Sequence, residues 1–428
     1  MTKFIKSILR IFCAAIFETL PLGAYSAQLP PPQIPESVGV NIHFATGHED
    51  ELDMIAATGF KIVRTDFIWE MTEKAKGQYD FSIYDELTAN LEKRGITPYY
   101  ILSYANPLYD QPSIVKDAQG KDKKIFLSPQ SPQEVAAFAN WAGAAAQHFK
   151  GHKIIWEVWN EPNLGFWKPK PDVGQYAALL LATETAIKNA DPDAIIVAPA
   201  LAAFDWPFIQ KLLATPGVLA NLSAVSVHPY SQPAPEYAHD DYKRLQGILQ
   251  QYANGKAVPV LSGESGYPTS GGESITPEKQ AKFFSRQQLT NLISGVPVSI
   301  WYDWKNDGND IGNREMNFGL LSSDLQPKPG LAGAQTLLHE LSGYHFVRLL
   351  DATPGRYVLL MADDKGKDKI AAWTHGNPGV VSIKTALSPA QTTCVNYDGQ
   401  QCTANIAGGS LTINLSDGPQ YISYKAPK

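Results

Sequence analysis

Ile154-Ile155-Trp156-Glu157-Val158-Trp159-Asn160-Glu161-Pro162-Asn163 is a short apolar run that ends in an Asn-Glu-Pro triplet. A strand that stops at a proline presents its last side chains at the rim of a sheet or barrel. An amide followed by a carboxyl at such a rim suits acid catalysis on a sugar. The amide can hydrogen-bond a hydroxyl, and the carboxyl can protonate a leaving glycosidic oxygen. Taken alone, the triplet reads equally well as a surface carboxylate beside a loop proline.

A second carboxylate shifts that balance. In Val258-Pro259-Val260-Leu261-Ser262-Gly263-Glu264-Ser265-Gly266, an apolar strand-like run again ends in a glutamate, 103 residues after Glu161. In a barrel built from strand–helix units of roughly 30 to 35 residues, that is about three units. Strand ends so far apart face each other across one mouth. A carboxylate pair there suits a glycosidase, one member as acid/base and the other as nucleophile or base.

The rest of the chain supports the barrel. From Val38 to about Gly343, apolar runs alternate with amphipathic helical ones, which predicts a parallel α/β architecture. Strands are expected to end near Phe44, Asp66, Leu102, Val158, Pro199, Val227, Gly263 and Trp301. Helical stretches lie between them at Asp50–Ala57, Ile83–Arg94, Pro132–Phe149, Val173–Asn189 and Pro277–Ser294. Eight units predict a (β/α)8 TIM barrel over residues 28–343. A doubly wound open sheet is the alternative, but no glycine-rich phosphate fingerprint follows the first strand. After Gly343 the pattern becomes short β-like runs separated by polar turns. Residues 344–428 are therefore expected to form a C-terminal β-sandwich.

The 428 residues can bury one large core plus a small accessory domain. The net charge is −6, with no basic block, so nucleic acid is not an expected partner. Residues 1–27 read as an export signal: Lys3, Lys6 and Arg10, an apolar stretch from Ile11 to Phe17, then Ala24-Tyr25-Ser26-Ala27. The apolar stretch is too short to span a bilayer. A secreted or periplasmic location follows, with an uncleaved anchor as the alternative. Cys13 follows Phe12 rather than a small residue and does not read as a lipid site. Beyond the signal stand Cys394 and Cys402, flanking Asp398-Gly399, a tight-turn signal. A disulfide across that hairpin suits an oxidising compartment, and two reduced thiols are the alternative.

Other candidate residues sit at the expected strand ends, where barrel enzymes place catalytic groups. These are His43 on the first; Arg64 and Asp66 on the second, with Trp69 after them; Asn160 and Glu161 on the fourth; His228 and Tyr230 on the sixth; Glu264 on the seventh; Trp301 and Trp304 on the eighth. Hydrogen bonding from His228 or Tyr230 would keep Glu264 ionised. Trp301 and Trp304 alternate faces, so one is expected to floor the sugar site and the other to join the core. Trp167 walls a subsite or packs its own loop. Arg64 pairs with Asp66 in the plainer reading, and His43 is more often a rim or core histidine. The polar stretch from Ala105 to Ser131 reads as a long solvated loop. No metal-ligand spacing and no Gly-x-Ser-x-Gly elbow appears, so neither a metal site, a cofactor nor a serine nucleophile is expected.

These residues resemble the clan A glycoside hydrolases. The run Trp159-Asn160-Glu161-Pro162-Asn163-Leu164-Gly165-Phe166-Trp167-Lys168-Pro169-Lys170 is similar to family 39, and especially to its branch acting on bacterial biofilm exopolysaccharide. Val227-His228-Pro229-Tyr230-Ser231-Gln232 and Asn317-Phe318-Gly319-Leu320-Leu321 fit that branch. The resemblance implies Glu161 as acid/base, Glu264 as nucleophile, Asn160 on the 2-hydroxyl, and His228 and Tyr230 lining the −1 subsite. It departs at Ser265, where many relatives have tryptophan, and along the eighth strand. The implied activity is a retaining glycosidase cutting inside a bacterial exopolysaccharide, with association with the synthesis or export machinery open. An exo-acting β-xylosidase-like enzyme and a non-catalytic polysaccharide-binding or matrix-assembly protein are the alternatives.

Overall fold

The computed structural model describes residues 29–116, 120–270, 275–351 and 353–427. The expected export signal, residues 1–27 with Cys13, lies outside the described residues. Eight parallel strands close into a barrel: β1 (Val38–Asn41), β2 (Ile62–Ile68), β3 (Thr97–Ser103), β4 (Ile155–Val158), β5 (Ile195–Ala202), β6 (Ala224–His228), β7 (Val260–Ser265) and β8 (Ser299–Trp301). Each pairs with its sequence neighbours, and β8 returns to β1 through Val38–Ser299, Gly39–Ile300 and Val40–Trp301. The helices that follow them are α1 (Glu49–Thr58), α2 (Ser82–Glu92), α3 (Pro132–His148), α4 (Val173–Ala190), α5 (Trp206–Leu213), α6 (Ala238–Tyr252), α7 (Pro277–Ile293) and α8 (Pro329–Glu340). The expected strands are all present. The first stops three residues before Phe44, and the fifth runs past Pro199 to Ala202.

Local chemistry sets the helix starts. Ser131 accepts from the Glu134 backbone N–H while the Glu134 carboxylate accepts from Ser131 N–H, a reciprocal cap at α3. Asp172, Asp205 and Thr276 cap α4, α5 and α7 in the simpler one-sided way. Pro132, Pro207 and Pro277 occupy first-turn positions, where a missing N–H costs no intrahelical bond.

The period of two along each strand divides the barrel into an outer and an inner side. Val63, Phe67, Tyr100, Leu102, Trp156, Val158, Val225, Val227 and Trp301 belong to the cluster packed under the helices. Ile62, Tyr99, Ile155, Ile195, Val197, Ala224, Leu261, Val298 and Ile300 form a separate apolar cluster of the opposite parity, inside the barrel.

Beyond the barrel, two antiparallel sheets form the C-terminal domain. They use β9 (Tyr344–Leu349), β10 (Arg356–Asp363), β11 (Asp368–Thr374), β12 (Gly379–Lys384), β13 (Cys394–Asn396), β14 (Asn405–Ala407), β15 (Ser410–Leu415) and β16 (Gln420–Tyr424). The strand orders are β9-β10-β11-β16-β13 and β12-β15-β14. One face of the larger sheet, with Val358, Leu360, Ile370, Ala372 and Ile422, packs on Val381, Leu411, Ile413 and Leu415 of the smaller. Its other face, with Leu359, Met361, Ala371, Trp373 and Tyr421, joins the barrel's outer core. A buried Arg286–Glu236 pair at 2.6 Å also receives the Trp373 indole N–H at 2.6 Å, fastening the two parts together. Cys394 and Cys402 are disulfide-bonded across the turn at Asp398-Gly399. The Ala105–Ser131 stretch is not a plain loop: Ser113–Lys116 and Asp122–Ile125 pair as an antiparallel hairpin. Among the described residues, no helix is long and apolar enough to cross a membrane.

Candidate active site

A cavity of about 840 Å³ opens where the strands end. Its lining includes His43, Arg64, Asp66, Asn160, Glu161, Tyr230, Glu264 and Tyr302, contributed by six different strand ends. Several backbones beside it are held in the left-handed region: Trp159 at φ 68°, Glu161 at φ 45°, Ala200 at φ 54° and Tyr230 at φ 40°. Non-glycine residues adopt this conformation at a cost and persist there only when the surroundings hold them. The Glu161 N–H donates to Ala200 O at 3.0 Å, tying the ends of β4 and β5 together.

Arg64 organises the site. It is buried, and its guanidinium reaches Glu157 at 2.7 Å, Glu264 Oε2 at 2.8 Å, Asn160 Oδ1 at 2.8 Å and Asn41 Oδ1 at 3.2 Å. It therefore pairs with Glu157 and Glu264 and not with Asp66, the plainer expectation. Asp66 instead accepts from the Ser103 hydroxyl at 3.0 Å. Burial disfavours the Arg64 charge, but Glu157 and Glu264 more than compensate and hold its pKa above the ordinary value. With its carbonyl oxygen engaged by Arg64, Asn160 directs its NH₂ to the Tyr104 hydroxyl at the cavity wall.

The two glutamates are held differently. Glu264 accepts from Tyr230 Oη at 2.5 Å and from Arg64 at 2.8 Å. Burial would raise its pKa. The His228 ring, the Arg64 guanidinium and these two hydrogen bonds outweigh burial and keep it below its ordinary value. Glu161 has one side-chain partner, His228 Nδ1 at 2.9 Å. Arg64 Nη2 lies 3.3 Å from His228 Nε2. Nδ1 is thus the ring nitrogen that faces Glu161, and Nε2 the one that faces Arg64. His228 thus bonds Glu161 rather than Glu264, from which it stands 3.9 Å away, and Tyr230 alone of the two expected donors bonds the second glutamate. One carboxylate oxygen from each of Glu161 and Glu264 and the His228 nitrogen lie within 4.8 Å of one another.

All four candidate tryptophans are buried in the core, as expected for one of Trp301 and Trp304 but not for both. Trp69 stacks on Tyr109 and Trp141 and donates to Glu73 at 2.5 Å. Trp167 donates to Gln175 at 3.1 Å and packs edge-on against Trp159, so it packs its loop. Trp301 faces the helices, against Phe284. Trp304 donates to Glu51 at 3.1 Å. For Trp301 the reason is parity: Ile300 points into the barrel, Trp301 out, and Tyr302 back toward the cavity. Aromatic surface at the mouth comes instead from Tyr104, Phe166, Tyr302 and Phe318.

Sequence reading missed Glu157 and Tyr99. Glu157 is fully buried, bonds Arg64, and accepts from Tyr99 Oη at 2.7 Å. The signal was available: Glu157 has the inward parity of Ile155, and a carboxylate inside a barrel needs a buried cation. Gly263 serves the same layer. A Cβ there would stand 2.3 Å from Ser226 Oγ and 3.2 Å from Glu157 Oε1.

The closed (β/α)8 barrel and its paired carboxylates define a carbohydrate-active enzyme of the clan A type. Residues 33–308 match the family described as Cellulase (glycosyl hydrolase family 5), and the chain belongs to it; the protein is a glycoside hydrolase. No curated protein matches it in sequence. Among solved structures it is similar to a family 39 glycoside hydrolase from Bacteroides cellulosilyticus WH2, with 25% identity, a TM-score of 0.76, and coverage of 92% of this chain and 81% of that one. A family 39 β-xylosidase from Caulobacter crescentus aligns at 16% identity and TM-score 0.67, covering 93% of this chain and 97% of the other. A family 30 endoxylanase from Clostridium papyrosolvens C71 aligns at 14% identity and TM-score 0.63, covering 92% and 98%. These last two show likeness of fold.

Proposed function

We propose that this glycoside hydrolase works by a retaining mechanism, with Glu161 as acid/base and Glu264 as nucleophile. The observation that carries this is the short gap between the two carboxylates, whose oxygens approach within 4.8 Å. Retaining pairs stand about 5 to 5.5 Å apart, whereas inverting pairs leave roughly 6.5 to 9.5 Å for a water. Glu264, held ionised by Arg64 and Tyr230, attacks the anomeric carbon as Glu161 protonates the departing oxygen. The carboxylate form of Glu161 then draws a proton from water, which displaces Glu264 and releases the sugar. The Asn160 NH₂ group binds a hydroxyl of the sugar in the nucleophile's subsite.

The substrate we infer is an internal linkage of a bacterial exopolysaccharide, hydrolysed outside the cytoplasm. This rests on the family 39-like run from Trp159 to Lys170; the neighbour at 25% identity supports family 39 without naming a substrate. The disulfide is consistent with an oxidising compartment. Work alongside the synthesis or export machinery belongs to the same reading.

The test is product analysis of wild type, Glu161→Gln and Glu264→Gln on bacterial exopolysaccharides and aryl glycosides. Wild type is expected to release oligosaccharides with retained anomeric configuration. Glu161→Gln should lose about 10² to 10⁴ of the rate on substrates with poor leaving groups, and Glu264→Gln should form no glycosyl-enzyme. Inverted products would sink the mechanism. Single sugars alone would indicate exo action, and binding without turnover a matrix protein.

A further inference from the structure

At the rim of the same cavity, the loops after β1 and β8 bring together three side chains that the proposed hydrolysis does not use. His43 Nε2 lies 3.8 Å from Asp303 Oδ2, and His43 Nδ1 lies 3.7 Å from Asp307 Oδ1. One donor atom from each of the three residues can be chosen so that all lie within 4.8 Å of one another. These distances are too long for hydrogen bonds. They run to opposite ring nitrogens, of which a single ion would take one, so the spacing of a three-atom ligand set is the 4.8 Å bound, and the half-exposed imidazole would have to turn to bring one nitrogen within the roughly 3.5 Å expected for bonds of about 2.0 to 2.2 Å.

The second observation is Asp303 itself. It is only 2% exposed, and its Oδ1 is buried with no hydrogen-bond partner, while Oδ2 faces His43. Buried carboxylates are normally satisfied by donors or by a cation. The neighbouring cation, Lys328, directs its ammonium to Asn306 Oδ1 at 3.2 Å and Asn317 O at 3.3 Å, and its attraction for Asp303 is outweighed by the burial of both groups. The arrangement is thus a deeply placed acid, an imidazole above it, and a second, 35% exposed carboxylate on the solvent side.

We propose that His43, Asp303 and Asp307 form a site for a divalent transition-metal ion. One imidazole and two carboxylates suit Zn²⁺ or Mn²⁺ better than Mg²⁺ or Ca²⁺, which prefer all-oxygen shells. The ion would tie the β1 and β8 loops together. Because His43 lines the cavity, its open positions would face the space where a glycan lies. No sequence motif announces the site, since its members are up to 264 residues apart and meet only when β8 closes on β1.

The test is equilibrium dialysis of chelator-treated full-length protein against ZnCl₂ or MnCl₂, with bound metal quantified by mass spectrometry. Wild type is expected to hold one equivalent, and Glu161→Gln and Glu264→Gln to hold it too. His43→Ala and Asp307→Asn should weaken binding at least tenfold. Both change accessible side chains, so a fold failure is separable by circular dichroism. Retention by these two variants with loss in Glu161→Gln would assign the metal to the catalytic cluster and overturn the proposal. Absence of binding at millimolar metal would leave Asp303 as a buried neutral acid and overturn it as well. The readout is independent of turnover, so it stands or falls separately from the hydrolytic mechanism.

Discussion

The inside of the barrel divides into two levels built by the same strands, with the same inward parity except at Glu264, three residues past Leu261, where a register shift in β7 intervenes. The lower level is apolar, formed by Ile62, Ile155, Ile195, Ala224, Leu261 and Ile300. The level above it is buried too, but charged: Arg64, Glu157, His228 and Glu264, with Ser226 between them. Tyr99 joins the two, its ring in the apolar cluster and its hydroxyl on Glu157. The lower level contributes stability through burial, which needs only volume and shape. The upper level places one guanidinium among two carboxylates, two amides and an imidazole. Such buried networks hold only when every member is satisfied. Mutations in the two levels should therefore fail in different ways.

Removing the organiser should have the largest effect. Arg64→Leu leaves Glu157 and Glu264 buried without their cation, a loss of about 3 to 5 kcal/mol. Denaturant melts should show it, and kcat/KM should collapse in whatever fraction remains folded. Normal turnover in this variant would refute the network as drawn. Ile155→Ala, one pleat below Glu157, should cost about 2 to 5 kcal/mol. Its pH–rate profile should stay where wild type has it, because no charge or donor changes. A displaced profile would mean that the two levels are not separable.

Tyr230→Phe gives the smallest and sharpest contrast. It removes a donor to ionised Glu264, worth about 1.5 to 3 kcal/mol for a charged acceptor. In the wild type the Glu264 pKa lies below its ordinary 4.5. Its ionised form therefore contributes stability above pH 4.5, and this is lost as pH falls through the folded value. Without the Tyr230 hydroxyl that folded value rises, so the acid limb of kcat/KM should move to higher pH. An unmoved limb would assign the low value to Arg64 and His228 alone.

Much of this was legible in the chain. Period-two apolar runs alternating with capped helices announce eight strand–helix units, and proline or glycine beside Glu161 and Glu264 marks them as strand ends. Asn160, Arg64 and Tyr230 were found by the same rule. Trp69 and one of Trp301 and Trp304 were expected at the sugar and lie in the core instead, because composition does not say which side of a strand end a large ring takes. Trp301 and Tyr302 are neighbours in sequence, yet only Tyr302 reaches the cavity. Glu157 was passed over because a carboxylate in an apolar strand has no visible partner until Arg64, 93 residues earlier, is brought to 2.7 Å.

Strand identity, order along the chain and the two glutamates follow from local patterns, since side-chain periodicity and capping act over a few residues. Which donor serves which glutamate, which aromatic rings face the sugar, and the meeting of His43 with Asp303 and Asp307 depend on barrel closure. Those contacts join residues up to 264 positions apart, and their geometry is set by strand register and packing, neither of which a linear pattern records.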